Sequence, residues 1–401
     1  GLSAGWVISE ENFFEPLKDV FSFFKLKGSW GMMGNDNITA YQYLSMYSFN
    51  TDSYYAFGKT PVSVQSIYET VTANPLVTWE TAKTWNIGFS SQFLNGKLGL
   101  DLDYFQSNRN DILITRNASI PTYSGLSLPA ENLGKVKNHG FEAIATYRDS
   151  KGDFEWGVTG NVTYAKNEVV YADEAADTPA WQRETGHPID GGTYYKALGI
   201  YQTQEQIEST PHLSGTKIGD LIYQDTNKDG NITWDDAVRR DKSATPKWIF
   251  GLTLNGSWKG MDVNAFFQGQ ADAEILVQPT MNMATDFYEG RWSESNTAEQ
   301  NAAAKWPRAF MKASSVDNRN SQSSTWWLRD ASFVRLKSLE IGYTFPKTLI
   351  SPLGVEKLRL YVNGNNLFTI DSVGIFDPEM TNGIRGYSLQ RSWTFGLNVT
   401  F

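Results

Sequence analysis

The residues Arg391 to Phe401 read RSWTFGLNVTF, and their pattern decides how the rest of the chain is read. In an extended strand successive side chains alternate faces. Trp393, Phe395, Leu397, Val399 and Phe401 then share one side, and Thr394, Gly396, Asn398 and Thr400 the other. A soluble sandwich would bury the apolar face in a core, whereas an outer-membrane barrel would turn it to lipid and keep the polar face toward a watery lumen. Taken by itself, the stretch leaves both open.

The strand closes the chain on an aromatic residue with no polar tail, and it looks like the signal that outer-membrane barrels present to their insertion machinery. Composition points the same way: aromatic residues are 14% of the 401, including 14 Trp and 19 Tyr. Such side chains suit strands and membrane–water interfaces. No window approaches the ~18 continuous apolar residues of a membrane helix, so any bilayer crossing must be made by a closed barrel. The absence of Cys excludes disulfides, thiolate metal sites and a Cys nucleophile. A net charge of −9 with scattered Lys and Arg excludes a nucleic-acid partner. The opening GLSAGWVISEENFF reads as neither signal peptide nor domain start, and the expectation is a piece of a longer chain.

Working back from the last strand, alternating segments recur. The expected strands begin with Leu2 to Ser9, a linker through Val20, and Phe21 to Gly34. TWNIGFSSQFL follows from Thr84, with Trp85, Ile87 and Phe89 in phase, and Asn95-Gly96 suits the positive φ positions of a type I′ hairpin turn. Leu98, Leu100, Leu102 and Tyr104 then oppose Gly99, Asp101 and Asp103. Leu133 to Tyr147 carries Phe141, Ala143 and Ala145 in phase, and Trp156, Val158, Val162 and Tyr164 return after a turn at Asp149 to Asp153. Trp248 to Leu254, Met261 to Phe267, Leu339 to Phe345 and Leu358 to Val362 complete about eleven strands. The insertions from about Val170 to Thr245 and Ala271 to Thr325 hold any helix.

From the terminal strand back to Gly34, connections alternate long and short without exception. Outer-membrane barrels are built so, with short periplasmic turns and long extracellular loops. A Greek-key sandwich has no reason to keep that parity, so the fold class expected is all-β, an antiparallel transmembrane barrel portion.

Several stretches resemble the carboxy-terminal part of SusC/RagA-type TonB-dependent transporters of Bacteroidota. They are SAGWVISEENFF from Ser3, LKGSWGMMGNDNI from Leu26, NPLVTWETAKTWNIGF from Asn74, ENLGKVKNHGFE from Glu131, GDLIYQDTNKDGNI from Gly219, LRDASFVRLKSLEIGYTFP from Leu328, NGNNLFT from Asn363 and FDPEM from Phe376. The resemblance implies that residues 1–401 are about half of a 22-stranded barrel with a plugged lumen, with plug domain and TonB box outside this chain. Alone, such a half would expose aggregation-prone edges. It further implies import of oligosaccharides or peptides across the outer membrane, a SusD-like lipoprotein lid, a TonB complex as energy source, lipid around the wall, and no covalent chemistry. The alternatives are a secreted all-β carbohydrate-binding module or enzyme, and a passive porin or adhesin.

One motif suggests a cofactor. Asp225-Thr-Asn-Lys-Asp-Gly-Asn-Ile-Thr-Trp-Asp-Asp236 matches an EF-hand loop, with Asp225, Asn227 and Asp229 offering side-chain oxygens, Asn231 its carbonyl and Asp236 the closing carboxylate. Asp at the last position shortens the reach relative to Glu, and the flanks are not helical. A structural calcium bracing an extracellular loop and an Asx-rich turn without metal both fit. His139, His187 and His212 lack paired-ligand spacing, which disfavours zinc or a Ser-His-Asp hydrolase. Trp181, Tyr194, Tyr195, Trp292, Trp326 and Trp327 lie in or beside the long loops, where they either stack on sugars or pack a loop core.

Overall fold

The computed structural model describes residues 1–38, 40–71 except 51–65, 73–116, 128–277, 284–309, 319–374, 376–380 and 387–401. Eleven strands form one sheet in strict chain order: β1 (Leu2–Val7), β2 (Phe21–Asn35), β3 (Glu80–Phe93), β4 (Leu98–Thr115), β5 (Ala130–Lys151), β6 (Phe154–Tyr171), β7 (Trp248–Trp258), β8 (Met261–Ala271), β9 (Phe333–Thr344), β10 (Lys357–Asp371) and β11 (Ser392–Thr400). Every neighbouring pair is antiparallel, which is a meander and not a Greek key. The expected strand count and order hold, and most strands run further into the loops than the alternation alone shows.

Register carries one apolar face across the sheet. Tyr104 pairs with Phe141, Phe141 with Tyr164, and Tyr164 with Trp248; lower down, Val158 pairs with Leu254, Val263 with Ile341, and Val362 with Phe395. Ile87, Leu254, Ile341, Leu360, Trp393 and Phe395 on this face are all exposed, and among the described residues no second sheet lies over them. At ~25 cal/mol per Å² such a surface is untenable in water and natural in lipid.

The opposite face is polar and ion-paired. Lys27 meets Asp103 at 2.6 Å, Ser90 donates to Asp101, and Arg359 of β10 sits 2.7 Å from Glu340 of β9. Gly396 stands here because the Tyr361 ring lies over it, where a Cβ would clash with the ring. Bulges keep both faces continuous: against β8, strand β9 carries one extra residue between Leu336 and Ser338, and against β9, strand β10 carries one extra residue between Asn365 and Phe368.

The hairpin at Asn95-Gly96 differs from expectation. Leu94 (φ 53°), Asn95 (φ 57°) and Gly96 (φ 83°) are all left-handed, and the Gly96 amide donates to the Phe93 carbonyl at 3.0 Å. The turn's central pair is therefore Leu94-Asn95, one residue early, because Phe93 pairs with Leu98 and leaves four residues to close the hairpin. The Leu2 strand ends at Val7, and the linker winds into two 3-10 turns, Ile8–Glu10 and Asn12–Leu17. A short helix, Lys347–Ile350, fills the turn between β9 and β10.

Candidate functional site

The long connections lie at one end of the sheet, and two of them fold against each other. Residues 172–247 supply Tyr195, Ile200, Leu221, Tyr223, Ile232 and Ala237 to a shared core, and residues 272–332 supply Ala273, Ile275, Val277, Trp292, Trp306, Trp327 and Ala331. Val373, beyond β10, joins them. Trp327 is fully buried and stacks on Trp306 with ring centroids 5.7 Å apart. The fully buried Asp220 ties the loops electrostatically: it accepts from Asn320 at 2.7 Å and lies 2.6 Å from Arg308. The Asn320 side chain accepts from the Leu221 amide, and its backbone oxygen from the Trp327 indole, each at 2.9 Å.

Against this platform opens a cleft of about 990 Å³. Trp306, Trp326, Arg329, Arg291, Asp286 and Glu289 are among its walls. The Arg329 guanidinium lies 5.1 Å from the centre of the Trp306 ring and donates to the Trp326 carbonyl at 2.7 Å. Burial pushes the ionisation of Arg329 below its ordinary value. Indole faces beside both signs of charge can stack on flat apolar surfaces and bind hydroxyls, amides or carboxylates.

The aromatic residues expected to face substrate divide. Trp327, Trp292 and Tyr195 are buried in the loop core, Trp181 donates to the Asp235 carbonyl at 2.8 Å, Tyr194 pairs in a two-residue strand with Val238, and Trp326 lines the cleft. Burial, then Asp236 and Asp235, raise the Tyr195 hydroxyl above its ordinary value. The sequence reading passed over Trp306, which has no flanking aromatic residue to draw attention.

Asp225, Asn227, Asp229, Asn231 and Asp236 share one tight loop. Asp225 accepts from the Lys228 amide at 2.7 Å and the Gly230 amide at 3.0 Å, and Asp229 accepts from the Asn231 amide at 2.7 Å. The Asn227 oxygen accepts from the Asp229 amide at 3.0 Å. Asp236, fully buried, accepts from the Thr226 and Thr233 amides, each at 2.8 Å. Among the described residues no three His, Cys, Asp or Glu side chains converge as a ready cation cage. His139, His187 and His212 stay apart, with His187 2.6 Å from Asp241 and His212 2.9 Å from the Thr210 carbonyl.

One anchor was not legible in advance. Arg335 is 1% exposed on the inner face of β9, and both Asp377 carboxylate oxygens lie 2.8 Å from its Nη2. It also donates to Glu379, and to Thr369 at 2.8 Å. This fork fastens the FDPEM segment of the last long loop to the inner wall.

An antiparallel meander with an exposed apolar outer face, an ion-paired inner face and long loops at one end defines the wall of an outer-membrane β-barrel. Residues 24–367 match the family model described as TonB dependent receptor-like, beta-barrel. TonB-dependent receptor P3 of Formosa agariphila is 28% identical over 99% of this chain and 41% of its own length. TonB-dependent receptor SusC of Bacteroides thetaiotaomicron is 27% identical over 100% of this chain and 40% of its own length. The solved RagAB peptide transporter superposes with a TM-score of 0.73 at 21% identity, over 100% of this chain and 42% of that one. The chain belongs to the TonB-dependent receptor barrel family and is of the SusC/RagA type. It spans about two fifths of the length of the relatives it matches. The secreted-module alternative therefore falls: the apolar face of this sheet meets lipid, not a second sheet.

Proposed function

We propose that this chain is the wall and extracellular platform of a TonB-dependent importer that carries oligosaccharides or peptides into the periplasm. The observation that carries this reading is the loop core built around Trp327, which holds an aromatic and charged cleft fixed at the long-loop end of the wall. A passive pore has no need of such a platform. A SusD-like lipoprotein would deliver cargo from outside, and TonB would act through parts of the protein beyond this chain. The RagAB likeness supports a two-component arrangement.

The test uses the full-length gene in its host. Uptake of fluorescent oligosaccharides and peptides should fall in a deletion strain, return with the wild-type gene, and fall again when TonB is inactivated. Trp326→Ala with Arg329→Ala should reduce uptake with the protein still in the outer membrane. Uptake that survives loss of TonB would instead support a passive porin.

The calcium reading of the Asp225–Asp236 loop belongs to this proposal as bracing. Alternating oxygens at Asp225, Asn227 and Asp229, and Gly230 at φ 84°, suit a cation loop. Calcium should slow proteolysis of the wild-type loop relative to chelator, and leave Asp225→Ala unchanged. Equal rates with and without calcium would leave an Asx-rich turn as the account.

A further inference from the structure

The outer face changes character above the aromatic row. Tyr104, Phe141, Tyr164 and Trp248 stand side by side on β4 to β7. The next row toward the long loops pairs Trp85 with Gln106, Gln106 with His139, and His139 with Lys166. The row beyond pairs Lys83 with Asn108, Asn108 with Lys137, and Lys137 with Glu168. By alternation these side chains share the face that is apolar below them. Lys135, two residues further along β5, extends the series.

We propose that this ledge binds the phosphorylated headgroup of an outer-leaflet glycolipid. Aromatic girdles mark the membrane–water interface of barrels, and strands rise ~3.4 Å per residue, so Lys166, Lys137 and Lys83 stand about 7–14 Å along the strands above the row, at headgroup depth. Lys83 and Lys135 are exposed, and Lys137 and Lys166 are partly so. Among the described residues none of the four has a carboxylate within ion-pair distance, and Glu168 is the only acid in the two rows. A chain with net charge −9 thus presents a cationic strip on its lipid side. Lysines there gain from an anionic surface and nothing from a neutral one. The ledge continues the lipid-facing wall, so its occupant is a lipid headgroup and not a soluble anion.

Full-length protein in detergent, delipidated and titrated with bis-phosphorylated lipid A under native mass spectrometry, tests this. Lys83→Gln/Lys137→Gln/Lys166→Gln should weaken binding at least ten-fold, with dephosphorylated lipid A bound equally by both forms. The single Lys83→Glu variant, which keeps the rest of the ledge, should weaken it at least three-fold. Heat-modifiable gel mobility establishes that each variant is folded. Equal binding of the phosphorylated lipid by wild type and folded variants would overturn the proposal. Phosphatidylglycerol binding as tightly as lipid A would overturn the glycolipid assignment.

Discussion

Arg359 on β10 reaches across β9 to Asp262 on β8, placing its Nε 2.9 Å from Oδ1. The same guanidinium stands 2.7 Å from Glu340, so one cation holds two carboxylates of neighbouring strands on the inner face. Arg359→Met keeps the stem and removes the charge, leaving Asp262 and Glu340 to repel each other. The expected loss is about 1–3 kcal/mol, toward the lower value because Asp262 is 35% exposed to lumen water. Urea unfolding of the full-length barrel in vesicles measures it, and Arg359→Met with Asp262→Asn should cost less than the two changes summed.

Leu94 carries a φ of 53° on an exposed hairpin tip. A left-handed conformation costs an L-residue with a Cβ roughly 1–2 kcal/mol. Leu94→Gly should therefore raise stability by up to about 1 kcal/mol, after the entropy cost of glycine in the unfolded chain. The same urea titration reads the change, and a fall in stability would refute the strain.

Trp327 is fully buried in the loop core and stacks on Trp306. Trp327→Ala opens a cavity against Trp306, with an expected cost of about 3–5 kcal/mol confined to the loops. Hydrogen exchange should rise across residues 195–237 and 273–331, while the strand amides of β3 to β8 keep their protection. Unchanged loop protection would mean that the platform does not depend on this core.

Asp272 follows β8 at the long-loop end, between Lys247 at 2.8 Å and Lys242 at 3.2 Å. Burial pushes its ionisation up, but the two lysines outweigh burial and hold it below the ordinary carboxylate range. A depressed folded value means that the contribution is present above the unfolded pKa of ~3.9 and is lost as pH falls through the folded value. The base of the loop should thus loosen below about pH 4. Limited proteolysis by an acid protease should show a pH-dependent step in the wild type that is absent in Asp272→Asn.

The wall was legible because lipid and lumen enforce a strict period of two. Leu98, Leu100 and Leu102 against Asp101 and Asp103 can be read from sequence without any partner strand. The platform was not legible, because loop cores have no period: Trp306 and Trp327 meet across two-stranded fragments and turns. The Arg335 fork to Asp377 and Glu379 joins residues 42 and 44 positions apart, and charge scattered along a sequence gives no sign of which pair will close. The Asp225 loop was legible as a turn because Asx residues at alternate positions bond their own backbone.

The central claim is that one face of this sheet meets lipid and the other water. The chain has no Cys, so single spin labels can be set at Val158→Cys, Thr159→Cys, Thr253→Cys and Leu254→Cys in full-length protein from which any thiol outside these residues has been replaced. Val158 pairs with Leu254, and Thr159 with Thr253. In reconstituted membranes, labels at 158 and 254 should collide mainly with dissolved oxygen, and labels at 159 and 253 mainly with a water-soluble nickel chelate. Equal access at all four sites, or the reverse order, would contradict the barrel-wall account.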